Sequence, residues 1–451
     1  MTNYFNSTNQ VLVDFETCSE EAIALSPEAI NEAIKLSTQI PNEQRQWQRY
    51  LNALAFFGIK QWLEERASEI TLNQEECSLF QPAFFNLIEG VFNLNINDFK
   101  VCLIAQGSLT DEEVTLPRAV IDLPEFIAHF YLLVEVQEEQ ETASVRGFLS
   151  YNQLQNRRKK VDLKADEDWT YQLPFTWFDE DPDRLLLALR CLEPSAIPLP
   201  AIPNRLTQLA QMRLQLEAIL PQLKSPECQL WQVLKWEQGT LVLTSPLLLN
   251  WLYELQTQTP SEPNTNPNDY LSDLLHLLTQ KAMNVGRWLS DELDELAKEL
   301  SWQLLPSFAP AVALRSPSEE FEAIINELQH NSVDIPLQAA RGAYRNLRLA
   351  GIPLRLYALT WPIVSESISE WTLLLILGTP SQTSLPPGLK LRISDQSGIL
   401  VEQVLETDNN YPYFFTSVVG TWDEKFLATI SLGSGIEETL PPFSFEVERS
   451  A

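Results

Sequence analysis

The chain has 451 residues and carries 31 Lys+Arg against 61 Asp+Glu, a formal charge of −30. At 45% hydrophobic and 20% charged residues it is no disordered polymer, and its acidity repels nucleic acid and anionic membranes except through a local basic patch. Five cysteines, Cys18, Cys77, Cys102, Cys191 and Cys228, without a C-x-x-C pair, argue against a disulfide framework or zinc site and point to a reducing cytosol.

The length predicts two to three domains. With 14 Gly and 29 Pro, defined loop ends are expected rather than flexible glycine linkers. The N-terminus, MTNYFNSTNQVLVDFET, lacks a basic start followed by an apolar run, so no signal peptide is expected. The densest apolar stretch, WTLLLILG at 371–378, falls far short of the roughly 18–20 residues of a spanning helix. A cytoplasmic protein with no membrane partner is the expectation.

Residues 1–194 predict an N-terminal α+β domain with antiparallel hairpins. Ser26 and Pro27 are set to cap and start one helix. A second runs from Asn42 to Ser68, with Trp47, Leu51, Leu54, Ile59, Trp62 and Leu63 at the spacing of a core-facing stripe. FNLNINDFKVCLIAQ reads as strand. HFYLLVEVQEEQETASVRGFLSY reads as a hairpin turning at Glu138 to Thr142. VDLKADEDWTYQLPF predicts another, with Val161 and Leu163 in one arm and Trp169, Tyr171 and Leu173 in the other. Asp181 and Pro182 open the closing helix.

From 195 to 335 apolar residues recur at helical spacing, in NRLTQLAQMRLQLEAIL, SPLLLNWLYELQ, the stretch from Asp269 to Leu305 and SPSEEFEAIINELQ. TQTPSEPNTNPN, within 256–268, has no apolar residue and predicts an exposed loop. From 341 to 451 short alternating segments predict a C-terminal β-sandwich of immunoglobulin-like kind, although the Cys…Trp…Cys spacing of antibody domains is absent. SDQSG is a hairpin turn there.

Four stretches resemble one family in order along the whole chain: YLNALAFFGIKQWL, VRGFLSY, VGRWLSDELDE and LPPGLKLRISDQSG…WDEKFLATISLG. The chain resembles the cyanobacterial proteins grouped as domain of unknown function 1822. The resemblance implies a cyanobacterial cytosolic protein with no assigned activity and carries over no catalytic residue. TWDEKF stands where members usually show Gly-Glu before the Phe, a departure confined to a turn.

Signals for chemistry are sparse. His129, His276 and His330 fall in separate segments, without H-E-x-x-H or a Cys/His cluster, so no metal is expected. No G-x-S-x-G elbow and no glycine-rich phosphate loop occurs, so no cofactor is expected. LGSGIEE, between two strands, reads as a hairpin turn. Cys102 and His129 lie on apolar strands about thirty residues apart and are the one pair with nucleophilic potential, although a buried thiol is usually inert. Asp179, Glu180, Asp181 and Asp183 offer oxygens for a cation, but acids at a helix start ordinarily satisfy free N–H groups.

Two basic features remain. QNRRKK holds Arg157, Arg158, Lys159 and Lys160, which predict a solvated loop entering the Val161 arm; the net charge over 157–168 is only +1. A nucleic-acid surface needs a wider patch. ARGAYRNLRLAGIPLR holds Arg341, Arg345 and Arg348, which on a helix would share a face. They would pair with acids at 291–299 or form a partner or anion surface. The leading reading is a non-enzymatic protein-interaction or regulatory module whose partner is another protein. A Cys102/His129 hydrolase and a nucleic-acid-associated protein using 157–160 are the alternatives.

Overall fold

The computed structural model describes residues 22–107, 112–257, 267–306, 321, 324–325, 328, 335–364, 369–380, 384–405, 412–433 and 435–446. It is mixed α+β and divides into two compact units: Met1–Pro203 with Gln222–Thr257, and Asn204–Pro221 with Gln258–Ala451.

The first unit is built on a six-stranded mixed sheet, in the order Ile23–Ala24, Thr142–Ser150, Phe130–Gln137, Phe99–Gln106, Val91–Ile96, Leu72–Asn73. The hairpin around Glu138 forms as predicted, with Glu141 at a positive φ of 52° closing its turn. One pairing is parallel: Val101 to Gln106 run beside Phe130 to Glu135. Parallel neighbours need a crossover, and within 107–129 lie the strand Glu113–Pro117 and the short helix Arg118–Asp122.

The helix Glu43–Arg66 covers one face of this sheet. Asn42 caps it by accepting from the Arg45 N–H at 3.0 Å. Leu51, Leu54, Ile59, Trp62 and Leu63 enter the core with Val101, Leu103, Ala105 and Leu132. Each fully buried aliphatic side chain contributes about 1.5–3 kcal/mol. A Cβ at Gly58 would lie 2.6 Å from that of Ala143, so glycine sets how closely helix and sheet approach. Trp47 departs from the predicted stripe: it is 50% exposed and leans on Tyr50, with ring centroids 5.7 Å apart.

The second predicted hairpin is corrected. Val161 and Leu163 form no strand; Thr170–Pro174 pairs instead with Glu113–Pro117. The basic run is not a loop either. Ser150 and Gln153 make a capping box that starts a helix at Tyr151, and Arg157 and Arg158 form its last turn. The helix Pro182–Cys191 begins as predicted, with Asp181 accepting from the Asp183 N–H at 3.1 Å.

The second unit contains the helices Leu206–Ile219 and Pro267–Thr279 and two antiparallel sheets. One sheet runs Gln303–Leu304, Arg341–Leu349, Ile352–Val364, Ser369–Gly378, Tyr413–Thr421. The other runs Ile399–Val404, Leu389–Ser394, Leu427–Leu432, Ile436–Thr439. Leu373, Leu375, Leu389, Leu391, Ala428 and Ile430 from both sheets share a core. Antiparallel sheets are what the strand order establishes; an immunoglobulin-like connectivity goes beyond it.

WTLLLILG is the centre of Ser369–Gly378. Its Leu373, Leu375 and Leu377 face that shared core, while Leu374 and Ile376 face a second one with Tyr357, Leu359 and Phe321. Burial on both faces explains a continuous apolar run with no alternation. The hairpin turn in LGSGIEE is present, with Gly435 at φ 79°. Arg341, Arg345 and Arg348 lie on a strand, not a helix. Ala343, Leu347 and Leu349 alternate inward there, and the strand pairs with Ile352–Val364 along its length.

The long helical pattern after Asp269 also breaks. Past Thr279 it yields a 3-10 turn, Val285–Ser290, and a short helix, Glu295–Glu299. Asn284 and Asp294 bind nearby N–H groups at 3.0 and 2.7 Å, a competition that interrupts helices. Of the exposed loop predicted at 256–268, residues 258–266 lie outside the described residues and the ends are helical, in Pro246–Thr257 and Pro267–Thr279; most of SPSEEFEAIINELQ also lies outside them. No described helix is long and apolar enough to cross a membrane.

Candidate functional site

The first unit carries a cleft of about 440 Å³ assembled from five stretches distant in sequence, with Leu243 added. Asn42 and Gln44 come from the start of the long helix. Leu87, Ile88 and Glu89 precede the strand Val91–Ile96. Pro117 and Ala119 meet the turn Asp168–Thr170. The segment from Glu227 to Trp236 completes the wall, with Leu243.

A buried arginine, Arg45, contacts two of the lining residues, Gln229 and Glu89. Arg45 donates to the Asn86 carbonyl and to Gln229 Oε1, and its Nε lies 3.9 Å from Glu89 Oε1. Burial holds its guanidinium below the ordinary arginine value, opposed by Glu89, Glu227 and Cys228. Glu89 keeps 48% of its side chain exposed. The surrounding protein raises its carboxyl, the Asp168 charge adds to the rise, and Arg45 opposes it. Glu227 Oε2 accepts from Asn42 Nδ2 at 3.2 Å. Asp168 Oδ1 accepts from the Thr170 N–H and hydroxyl at 3.1 and 2.7 Å.

Three indoles stand with these carboxylates. Trp231 is 38% exposed. Trp169 and Trp236 meet edge to face at 5.1 Å. Trp169 has φ 63°, a left-handed conformation that costs a bulky residue about 1–2 kcal/mol. Two backbone bonds hold it, Trp169 N–H to Asp166 O at 3.1 Å and Arg118 N–H to Trp169 O at 2.8 Å. Its ring lies against Gly239 of the helix Trp236–Leu243, where a Cβ would come within 2.1 Å of it. Arg118 places its guanidinium 4.1 Å from the Trp236 ring centre, a cation–π contact.

Part of the basic run supports this wall. Arg158 Nη2 donates to Asp122 Oδ1 at 2.9 Å, and the other oxygen of Asp122 takes Arg118 Nε and the Tyr171 hydroxyl, both at 2.9 Å. Arg157 donates to the Thr176 carbonyl at 2.9 Å and lies over Trp177. Lys159 and Lys160 are exposed. The second basic feature belongs to the other unit, where Arg341 pairs with Asp291 at 3.4 Å, Arg345 with Glu438 at 3.2 Å, and Arg348 is exposed.

Cys102 and His129 sit on or beside neighbouring strands, but no hydrogen bond joins them. His129 Nδ1 accepts from the Lys100 N–H at 2.8 Å and its ring is edge-on to Phe99. Burial lowers the His129 value and pushes the Cys102 thiol far up, so the thiol stays protonated at neutral pH. His276 contacts Arg213 and Gln280. Asp179 and Asp181 bind Arg184 at 3.1 and 3.2 Å. Among the described residues no group of three or more His, Cys, Asp and Glu is placed to hold a metal.

Sequence reasoning passed over Glu89, Asp168, Glu227, Trp231 and Trp236. Carboxylates are too frequent in this chain to mark a site. The one local signal was the pair of tryptophans in CQLWQVLKW.

No curated protein and no solved structure matches the chain. The family described as "Protein of unknown function (DUF1822)" matches residues 23–441, nearly the whole length, and the chain belongs to that family.

Proposed function

We propose that this protein is a non-catalytic interaction or regulatory module of the cytosol, and that the cleft of its first unit is where a partner protein docks. The carrying observation is the convergence of three carboxylates and three indoles from three separate segments on one concavity. Recognition surfaces concentrate tryptophan in this way, because an indole offers large rigid area at small entropic cost. The strained backbone of Trp169, held by bonds on both sides, fits a residue positioned for contact. The two sheets of the second unit are read as a sandwich, a layout that hosts many recognition modules by analogy alone.

The other two readings draw less support. A hydrolase would need the Cys102 thiol activated, and its surroundings do the reverse. A nucleic-acid contact through 157–160 would need cations that Arg157 and Arg158 already spend on Thr176, Asp122 and Tyr171.

The test is a peptide-array screen with the full chain, repeated with Trp231→Ala. Peptides that bind the wild type and lose at least tenfold in affinity on removal of this exposed indole are expected, since a buried aromatic anchor is worth about 2 kcal/mol or more. Binding that is indifferent to Trp231→Ala and to Trp236→Ala would refute the cleft as the docking site.

A further inference from the structure

We propose that the cleft receives an arginine or lysine side chain presented by a basic segment of the partner protein. The proposal rests on the cleft being the docking site and names what it takes.

Charge comes first. Glu89, Asp168 and Glu227 all line the cleft, and each keeps acceptor capacity. Asp168 uses one oxygen on Thr170 and Glu227 one on Asn42, while Arg45 stands 3.9 Å from Glu89. Two cations nearby are committed, Arg45 to Asn86 and Gln229 and Arg118 to Asp122, and the exposed Lys235 is not among the lining residues. A carboxylate rim with unfilled acceptors repels anions and favours a donor-only group, which describes guanidinium and ammonium. The −30 charge of the chain steers such a partner inward.

The aromatic walls point the same way. Trp236 already stacks a guanidinium, that of Arg118, so an indole of this cleft demonstrably takes that group. Trp231 offers a further exposed indole. A neutral polar ligand such as a sugar would need free donors and acceptors in equal measure. Three amide oxygens here are engaged, Gln229 Oε1 by Arg45, Gln232 Oε1 by the Gln229 N–H and Asn42 Oδ1 by the Arg45 N–H, which leaves the three carboxylates as the main acceptors.

The experiment titrates the full chain with short acetylated, amidated Gly/Ser peptides bearing a central Arg-Gly-Arg, or Lys, Gln, citrulline or Glu in both positions. Tryptophan fluorescence and calorimetry read the affinity. Arg and Lys peptides should bind, weakening with salt, and citrulline and Gln peptides should bind at least tenfold less tightly. Glu89→Gln, Asp168→Asn and Glu227→Gln should each weaken the Arg peptide about tenfold, the worth of one charge-assisted hydrogen bond. The citrulline comparison uses the unaltered protein, so it stands even if a variant misfolds. Citrulline or Glu peptides binding as tightly as Arg, in a manner lost on Trp231→Ala, would overturn the cation reading and keep the docking site. No binding by any of these peptides, with array hits that still depend on Trp231, would likewise overturn it alone. Arg binding unaffected by both Trp231→Ala and the three carboxylate changes would overturn both.

Discussion

Asp273 and Arg392 form a buried ion pair in the second unit, and breaking one side of it should be the most damaging single change there. Asp273 is 1% exposed and Arg392 3%. The carboxylate takes Arg392 Nε at 2.7 Å and Nη2 at 2.9 Å, with Ser394 Oγ at 2.5 Å and Thr429 Oγ1 at 3.3 Å. Those contacts tie the helix Pro267–Thr279 to the four-stranded sheet. Asp273→Asn keeps the shape but turns one acceptor into a donor facing a donor. Glu402, 4.0 Å from Arg392 and partly exposed, offsets little of the stranded charge. Removing one partner of such a pair costs about 3–5 kcal/mol. For a unit of this size, about 2–4 °C per kcal/mol gives a loss of roughly 6–20 °C in its melting transition. Differential scanning calorimetry reads the shift, and hydrogen exchange in the helix locates it. The double change Asp273→Leu with Arg392→Met removes both charges and should recover most of the loss. A single variant within about 1 kcal/mol of wild type, or a double variant no better than the single, would refute the reasoning.

Arg49 makes the opposite prediction. Among the described residues no carboxylate pairs with it, its Nε and Nη1 lack hydrogen-bond partners, and burial lowers its value to about 10, with Tyr253 opposing. Against the ordinary 12.5 this disfavours the charged folded state by about 3 kcal/mol. The sign follows: the unfolded chain holds this proton more tightly, so the penalty is present at neutral pH and is relieved as pH rises through about 10. Arg49→Met, which forfeits bonds to Leu79 O and Gln39 Oε1, should therefore gain about 1–2 kcal/mol in urea unfolding at pH 7; a loss above about 1 kcal/mol would contradict this. Gly239→Ala should displace the Trp169 ring, changing near-ultraviolet dichroism and destabilising by about 1–3 kcal/mol; an unchanged spectrum would show that the ring is not held there. In native protein at pH 8, iodoacetamide should label exposed Cys191 and spare Cys102, as mass spectrometry would reveal; rapid labelling of Cys102 would mean that its strand opens readily.

Local chemistry was legible in the sequence wherever it is self-contained. Ser26 and Asp181 cap their helices as read because a short polar side chain reaches its own backbone without help from elsewhere. The hairpin at Glu138 was legible for the same reason. Partner choice was not. Thr170–Pro174 has a sound strand pattern, yet it pairs some fifty residues upstream rather than with its nearest apolar neighbour. Arg158 looked like a surface cation because nothing nearby in sequence announces Asp122. The cleft is the extreme case, since Glu89, Trp169 and Trp231 share no local pattern and meet only after the long-range packing is complete.

The strand Ser369–Gly378 has a problem that ordinary strands avoid. In a strand with one polar face, a slip of one residue drives charge into the core and is punished at once. Here a slip would exchange Leu373 and Leu375 for Leu374 and Ile376, apolar for apolar, on both faces. Burial alone therefore leaves its alignment nearly degenerate. The ends must break the tie. Trp371 is fully buried and its indole N–H donates to the Thr421 carbonyl at 3.0 Å, a bulk and a bond that fit one alignment only. At the other end Gly378 sits opposite Tyr413, where an added Cβ would meet the Pro412 carbonyl at 3.4 Å and Tyr413 Cβ at 3.6 Å. The most hydrophobic segment of the chain thus takes its address from its least repetitive residues.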